Sequence, residues 1–187
     1  SVYYGKLLVH RPTMISLGFL PYFYALSGRT GDRDEHVRAA LRGELSSMGR
    51  RIMDVFRKRS RLPTRQIRQM LQKSGPFGSG SFALAMNELQ SKMYIAKGDE
   101  DQRPYSITWV PVRILFAAQV RKARHISSEE ARRVILEQHF RNQGVCTLPG
   151  IRKVFRWSRQ QVYQALGDLH RRGIISSEGR VDGVSGH

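Results

Sequence analysis

The sequence is poor in cysteine, and Cys146 is the only one among its 187 residues. A single cysteine excludes a disulfide within the chain, which is typical of proteins kept in a reducing compartment. No histidine–asparagine arrangement accompanies this thiol, so a buried place in a short strand is a simpler prediction than a nucleophile. The six histidines are scattered. None pairs with cysteine or carboxylates at metal-ligand spacing, and we expect no metal and no cofactor.

Long apolar runs are also missing, which excludes a transmembrane helix of about 18 or more residues. No secretory signal is visible. The glycines of GPFGSG match neither the phosphate-binding P-loop nor the dinucleotide-binding pattern. No paired carboxylates stand out for acid–base catalysis. Residue 1 is serine, so a fragment or a processed product is expected.

Acidic residues are scarce. The chain holds 32 Lys+Arg against 15 Asp+Glu, a formal net charge of +17 and a pI near 11.0. Such an excess predicts a polyanionic partner, usually nucleic acid, and no basic amphipathic segment favours a membrane surface. Residues 45–126 hold half of the cations but a third of the carboxylates. Asp54 is the only acid from residue 50 to 73, which favours phosphate contact over a solvated helical face.

What the sequence does contain is an internal repeat. Residues 81–95 (SFALAMNELQSKMYI) match residues 161–175 (QVYQALGDLHRRGII) at a constant offset of 80. Upstream, Ile52 and Thr64 match Ile135 and Thr147 at an offset of 83. The turn between the two matched blocks is therefore predicted to be three residues longer in the first copy.

Each copy predicts three helices followed by a two-stranded wing, the pattern of a winged helix-turn-helix. The predicted helices are 45–59, 64–73 and 82–92 in the first copy, and 128–142, 148–155 and 159–172 in the second. Thr64 is predicted as an N-cap, Ser158 with Gln161 as a capping box and Gly173 as a C′ residue. The hairpins are predicted over 93–111 and 173–184.

The predicted fold class is therefore mainly α with small β-hairpins (α+β), arranged as tandem winged helix-turn-helix domains. An aromatic-rich segment, 1–44, is expected to pack on the first winged helix, 45–111. A linker helix, 112–127, then leads to the second winged helix, 128–187, whose wing is cut short. The aromatic residues of the first segment could stack on bases, but a core role is the stronger interpretation.

The third helix of the second copy is the candidate DNA-contacting helix. Its apolar residues fall on one arc, which leaves glutamine and arginine side chains on the opposite face. Glutamine can bond adenine in two places, and arginine can bind guanine or a phosphate. The alternative is an ordinary polar surface, since winged helices also serve as protein-assembly modules. The predicted binding residues are Arg159, Gln160, Tyr163, Gln164 and Arg171, with Arg152, Lys153 and Arg156 just before them.

The first copy distributes its charge differently. Its third helix turns Leu84, Asn87 and Ser91 outward, a face poor in charge that fits protein packing, and its wing loop GDED is acidic. Phosphate contact is predicted instead from its first two helices. The predicted residues are Arg57, Lys58, Arg59, Arg61, Arg65 and Arg68.

Five blocks occur in order over residues 3–175: YYGKLL, RPTMISLGFLPYFYALSG, LPTRQIRQML, FALAMNELQSKMYI and EEARRVILEQHF. They resemble the AlkZ-related winged-helix proteins of bacteria, which are akin to DNA glycosylases that excise alkylated and crosslinked bases. The resemblance implies tandem winged helices that embrace DNA. It also implies a catalytic Gln-x-Gln or Gln-x-Asp motif in an N-terminal winged helix. No such motif occurs here, so no catalytic residue is assigned and that N-terminal part is expected to be lacking.

Three functional hypotheses follow from these features. The first is a non-catalytic protein that binds duplex DNA, located on the nucleoid in the cytoplasm and linked to DNA repair. The second is a DNA glycosylase for alkylated bases, or its DNA-binding part. The third is an assembly module of a nucleoprotein particle that binds RNA. The sequence leaves the oligomeric state open.

Overall fold

Helices make up most of the fold, and the strands form two small antiparallel sheets. The computed structural model describes residues 2–8, 11–98 and 107–176. A mainly α composition with small β-elements confirms the predicted α+β class.

The N-terminal segment folds as a β-hairpin followed by two short helices. Strand β1 (Val2–Leu8) pairs with β2 (Arg11–Ser16), and α1 (Leu20–Leu26) and α2 (Glu35–Leu41) follow. Tyr3 and Tyr24 are completely buried, and burial raises the pKa of each phenol to about 12. This confirms the core interpretation for both tyrosines.

The first copy of the repeat forms three helices and a three-stranded sheet. Its elements are α3 (Ser47–Phe56), β3 (Leu62–Pro63), α4 (Thr64–Gln72), α5 (Ser79–Ser91), β4 (Ile95–Lys97) and β5 (Thr108–Pro111). Strand β5 lies between β3 and β4, with Trp109 opposite Leu62 and Pro111 opposite Ile95. The apolar faces of α3, α4 and α5 close over this sheet around the buried residues Ile52, Ile67 and Leu89.

The predicted linker helix is wrong as a single element, because two short helices replace it. Helix α6 (Val112–Leu115) and α7 (Ala117–Ala123) are separated by Phe116, whose φ of −122° and ψ of 42° are not helical. The Phe116 ring packs edge-on against Tyr3 with a centroid separation of 5.7 Å. We attribute the break to this packing, since a continuous helix would carry the ring away from the N-terminal core.

The second copy contains α8 (Ser128–Gln143), α9 (Leu148–Phe155) and α10 (Arg159–Arg171). Its predicted caps are confirmed. Ser158 and Gln161 form a capping box, and Gly173 follows α10 with a φ of +67°. Of the predicted second hairpin, residues 173–176 carry no strand, and residues 177–184 lie outside the described residues.

The two copies share their core positions, with one change to the predicted register. Ile151, Val162 and Leu169 surround Leu136 in the second core, as Ile67, Phe82 and Leu89 surround Ile52 in the first. Ile135 is buried outside this core, where it lines a cleft towards α1. The counterpart of Ile52 is therefore Leu136, and the upstream offset of 83 is wrong by one residue.

Two smaller predictions also fail. Thr64 is the first residue of α4 and Pro63 takes the N-cap position, because the Thr64 hydroxyl is used by the sheet. That hydroxyl accepts a hydrogen bond from Trp109 Nε1 at 2.9 Å and donates one to the Ile107 carbonyl at 3.3 Å. Cys146 lies in the connection between α8 and α9, outside any strand, and is half-buried.

Candidate nucleic-acid interface

Helix α10 has a buried face and a polar face, as the sequence predicts. It packs against α8 and α9 through Val162, Ala165 and Leu169, all of which are buried. The capping box fixes where the helix begins: Ser158 Oγ accepts from the Gln161 amide at 3.2 Å, and Gln161 Oε1 accepts from the Ser158 amide at 2.9 Å. The residues predicted to contact DNA from this helix are all exposed. They are Arg159, Gln160, Tyr163, Gln164 and Arg171.

Arg159 and Tyr163 are held together on the first turns of this face. Arg159 Nη2 donates to the Tyr163 hydroxyl at 3.2 Å, and the guanidinium lies 5.3 Å from the Tyr163 ring centroid. The contact limits the freedom of the arginine before any partner arrives. A guanidinium held on an aromatic ring is suited to a planar or anionic ligand.

Asp168 is a constraint on this surface that the sequence prediction did not include. Its carboxylate lies 3.4 Å from Arg171 Nη2, 3.3 Å from Arg172 Nε and 3.6 Å from Arg133 Nε. Arg171 is therefore exposed but already paired with an anion. The spacing of Asp168 from Arg171 and Arg172 along one helix could have indicated two of these pairs, whereas the Arg133 contact from α8 depends on packing.

Helix α9 adds cations beside α10, against which it packs. Arg152 and Lys153 are exposed and have no acidic partner among the described residues. Arg156 caps the C-terminus of α9 in the left-handed conformation, with a φ of +56°, and its side chain is exposed. We call these three residues together with the outward face of α10 the second-copy surface.

The first-copy surface is the basic region formed by the connection between α3 and α4 and by α4 itself. Lys58, Arg59 and Arg65 are exposed and have no acidic partner within the described residues, and Arg61 is exposed as well. Two other predicted residues are engaged internally. Arg57 lies 3.3 Å from Asp34 Oδ1, and the half-buried Arg68 places its guanidinium 4.1 Å from the Phe82 ring centroid.

The sequence prediction missed three glutamines on the first-copy surface. Gln66, Gln69 and Gln72 line an open cleft of about 860 Å³ together with Arg59 and Lys73. Their spacing of three places them on neighbouring helical turns. This spacing is the feature of the sequence that could have indicated a shared surface. The described lining combines amide and cationic groups without a carboxylate, and such a lining suits the phosphates and sugars of nucleic acid.

The two basic surfaces belong to different parts of the molecule. Within the described ranges, α3 and α4 pack together and α9 packs on α10, but no extensive contact joins the two pairs. Among the same residues, no group of three or more histidine, cysteine or carboxylate side chains is placed to hold a metal ion. No described helix is long and apolar enough to span a membrane.

Fold and surfaces together define a basic, mainly helical protein with two arginine-rich faces and a small β-hairpin at its N-terminus. A family model described as AlkZ related matches residues 1–155, and the protein belongs to the AlkZ-related family. The family predicted from the five sequence blocks is thereby confirmed. No curated protein and no solved structure matches the chain. The family match ends at the last residue of α9, so α10 draws no support from it.

Proposed function

We propose that the protein binds duplex DNA through two winged helices, 45–111 and 128–187. In this proposal 112–127 connects the two, and 1–44 packs on the first. The first unit has the required element order, with three helices and a sheet in which β4 and β5 form the wing. The second has three helices with equivalent core positions. Family membership supports a link to DNA repair, and such a protein would act on the nucleoid in the cytoplasm.

The observation that carries the proposal is the outward face of α10. Gln160 and Gln164 are exposed, and neither has a hydrogen-bond partner among the described residues, so both amides are available to base edges. Arg159 stands in the first turn, where a recognition helix meets bases or phosphates. Arg152, Lys153 and Arg156 would hold the flanking phosphates and fix the register of the helix on the duplex.

The first-copy surface would act on the same duplex without contributing sequence preference. Its cations lie on α4 and on the connection that precedes it, while the outward face of α5 carries the uncharged residues Ala83, Leu84 and Asn87. Cations that contact only phosphates add affinity for any sequence. The proposal therefore assigns backbone binding to the first copy and base contact to the second.

The test is duplex binding by the double variant Arg159→Ala/Gln164→Ala. We expect at least about a tenfold loss of affinity near 0.1 M salt, because a base or phosphate contact is removed at each position. For the wild type, the logarithm of the association constant is expected to fall linearly with the logarithm of salt concentration. Fluorescence anisotropy with a labelled duplex measures both.

The matched control is Arg42→Ala/Gln143→Ala, which removes the same residue types from exposed positions outside both surfaces. It should lose little affinity. Equal losses in the two double variants would contradict the role of α10, and binding that does not depend on salt would contradict the electrostatic contribution. Preference for structured RNA in direct competition with the duplex would favour the assembly-module hypothesis instead.

Excision of alkylated bases is a second candidate function, and the family match favours it. The assay is release of N7-alkylguanine from duplex DNA, with an abasic site as the second product. No described side chain can be assigned as the catalytic group, so the DNA-binding proposal expects no release by this chain. Release above the spontaneous rate would establish a glycosylase, and alanine substitutions along both surfaces would then locate the residues that it needs.

A further inference from the structure

A cleft of about 370 Å³ lies between the N-terminal hairpin and helices α8 and α9 of the second copy. Its walls come from β2, α1, α8 and the last residues of β1 and α9. Helix α1 packs directly against α8, so the cleft is built into an extensive contact between elements. Its volume is near the lower end of the range of about 300–1,000 Å³ that is typical of small-molecule sites.

Aromatic side chains from two different elements line this cleft. Phe19 and Phe23 come from the start of α1, and Phe155 comes from the end of α9. The Phe155 ring is held from other sides by Trp157, which stacks on it at 4.6 Å, and by His139, which meets it edge-on at 5.1 Å. A fixed aromatic wall of this kind favours a flat, polarisable ligand.

Two neighbouring amides on α8 are among the polar groups of the cleft, which Thr13, Ser16 and His139 also line. Gln138 Nε2 donates to Asn142 Oδ1 at 2.8 Å. The pair still offers one acceptor, Gln138 Oε1, and one donor, Asn142 Nδ2, neither of which has a partner in the part of the chain that the structure describes. A donor beside an acceptor is the arrangement with which amide side chains recognise the edge of a heterocyclic base.

The described residues that line the cleft are uncharged at pH 7, although the chain carries a net charge of +17. None of the described residues that line it is an acid, a lysine or an arginine. Burial lowers the pKa of His139 below the ordinary histidine value, which favours the neutral form of its ring. A phosphate placed here would lose its hydration without gaining a cationic partner, and the lining therefore selects an uncharged group.

We propose that this cleft binds an uncharged, purine-like heteroaromatic ring. The ring packs against the phenylalanine walls, and its edge exchanges hydrogen bonds with Gln138 and Asn142. The ring belongs either to a free nucleoside or to a base extruded from bound DNA, and the experiments below distinguish the two. Binding of the free nucleoside does not rest on the proposed DNA-binding function, and the proposal includes no chemical step.

The first experiment titrates the whole protein with 2-aminopurine riboside and follows probe fluorescence and the combined emission of Trp109 and Trp157. Saturable binding is expected, and ribose 5-phosphate, which has the charge but not the ring, should not compete. Gln138→Ala should weaken binding between about fivefold and 100-fold, the range for loss of a paired amide contact. Gln143→Ala, an exposed glutamine at the end of the same helix, should leave the affinity unchanged.

A second variant, Ser16→Trp, fills the cleft from the exposed last position of β2 without removing a core side chain. It should abolish nucleoside binding while circular dichroism and thermal unfolding stay close to wild type. Absence of nucleoside binding by wild type, together with no response in the duplex experiment below, would overturn the proposal. So would binding that both Gln138→Ala and Ser16→Trp leave intact.

The source of the ring is decided with a duplex that carries 2-aminopurine opposite an abasic site. A fluorescence change on binding that Ser16→Trp removes, without loss of duplex affinity, identifies an extruded base. Nucleoside binding without any duplex response identifies a free heterocycle. Failure of the duplex to bind at all would count against the DNA-binding proposal and leave the free-nucleoside result to be judged alone.

Discussion

At the scale of single residues, the electrostatics of α10 depend on Asp168. This one carboxylate lies within 3.6 Å of guanidinium nitrogens from Arg133, Arg171 and Arg172. It therefore holds Arg171 by an internal ion pair that a phosphate must replace. We expect Asp168 to lower the affinity of the second-copy surface for DNA while stabilising the contact between α8 and α10.

The variant Asp168→Asn tests this competition. We expect duplex affinity to rise severalfold at low salt, and the salt dependence to steepen by about one unit, because Arg171 gains a phosphate contact. The measurement is the association constant over a salt series. Glu137→Gln removes the same charge from α8, where Glu137 pairs with Arg141 and Arg133. If both variants raise affinity equally, the effect is one of net charge and not of Arg171.

A second residue-scale contact is structural. The Arg29 guanidinium pairs with Glu35 and lies 3.6 Å from the Tyr94 ring centroid, and both members of the ion pair are almost fully buried. Arg29 also donates to the backbone carbonyls of Lys92 and Met93. The pair therefore joins the segment between α1 and α2 to the end of α5.

Removal of this guanidinium is expected to be costly. Arg29→Met leaves Glu35 buried without its cation, and we expect the free energy of unfolding to fall by about 3–5 kcal/mol. Urea denaturation measures the change. Arg38→Met is the control, because its exposed pair with Asp32 should contribute little. Similar losses in the two variants would show that the Arg29 pair adds no more to stability than a surface contact.

At the scale of elements, Glu88 ties α5 to the start of α3. Ser46 caps α3 by accepting from the Gly49 amide at 3.0 Å, and its own amide donates to Glu88 Oε1 at 3.1 Å. Lys92 Nζ donates to the same carboxylate oxygen at 2.8 Å. Burial raises the pKa of Glu88, but the hydrogen bonds from Lys92 and Ser46 outweigh it and hold the pKa below its ordinary value.

This pKa makes the contact sensitive to acid. A carboxyl whose pKa is lower in the folded than in the unfolded state stabilises the fold above its unfolded pKa, and this stabilisation is lost as pH falls through the folded pKa. Glu88→Gln should therefore cost on the order of 1 kcal/mol at pH 7. Its stability should converge with that of the wild type in acid.

Urea denaturation at several pH values measures this convergence. Glu129→Gln, exposed in the first turn of α8, serves as the control for loss of one negative charge. A Glu88→Gln difference that stays constant from pH 7 down through the acid range would assign the effect to packing and not to the ionised carboxylate.

At the scale of the whole molecule, two basic surfaces on separate helix pairs carry part of the net charge of +17. If both surfaces contact one duplex, each contributes counterion release, and the total salt dependence reflects their sum. Lys58→Ala/Arg65→Ala removes two unpaired cations from the first-copy surface. We expect it to reduce the salt slope on a long duplex by about two units.

The same substitutions should not change preference between duplex sequences, because the cations involved contact phosphates. Arg38→Ala/Arg42→Ala provides the control with the same loss of charge, from residues that are paired with Asp32 and Glu44. If wild type and Lys58→Ala/Arg65→Ala have the same salt slope, the first-copy surface does not contact the duplex.

The sequence by itself determined the helices of the repeat and their buried faces. Val162, Ala165 and Leu169 recur at helical spacing, and that spacing assigns the core side of α10 whatever lies against it. Ser158 and Gln161 likewise define where the helix begins, since a capping box is formed by residues three apart. The excess of cations was equally visible, as charge is a property of composition.

Only the tertiary structure decided which cations are available and where the cleft lies. Arg133 reaches Asp168 from another helix, and Arg68 is engaged because Phe82 packs beneath it. The cleft joins Phe19 to Gln138 and Phe155, which are more than 100 residues away along the chain. Periodicity describes one element at a time. Ion pairs and clefts between elements depend on which faces meet, and the packing of α1 against α7 and α8 determines that.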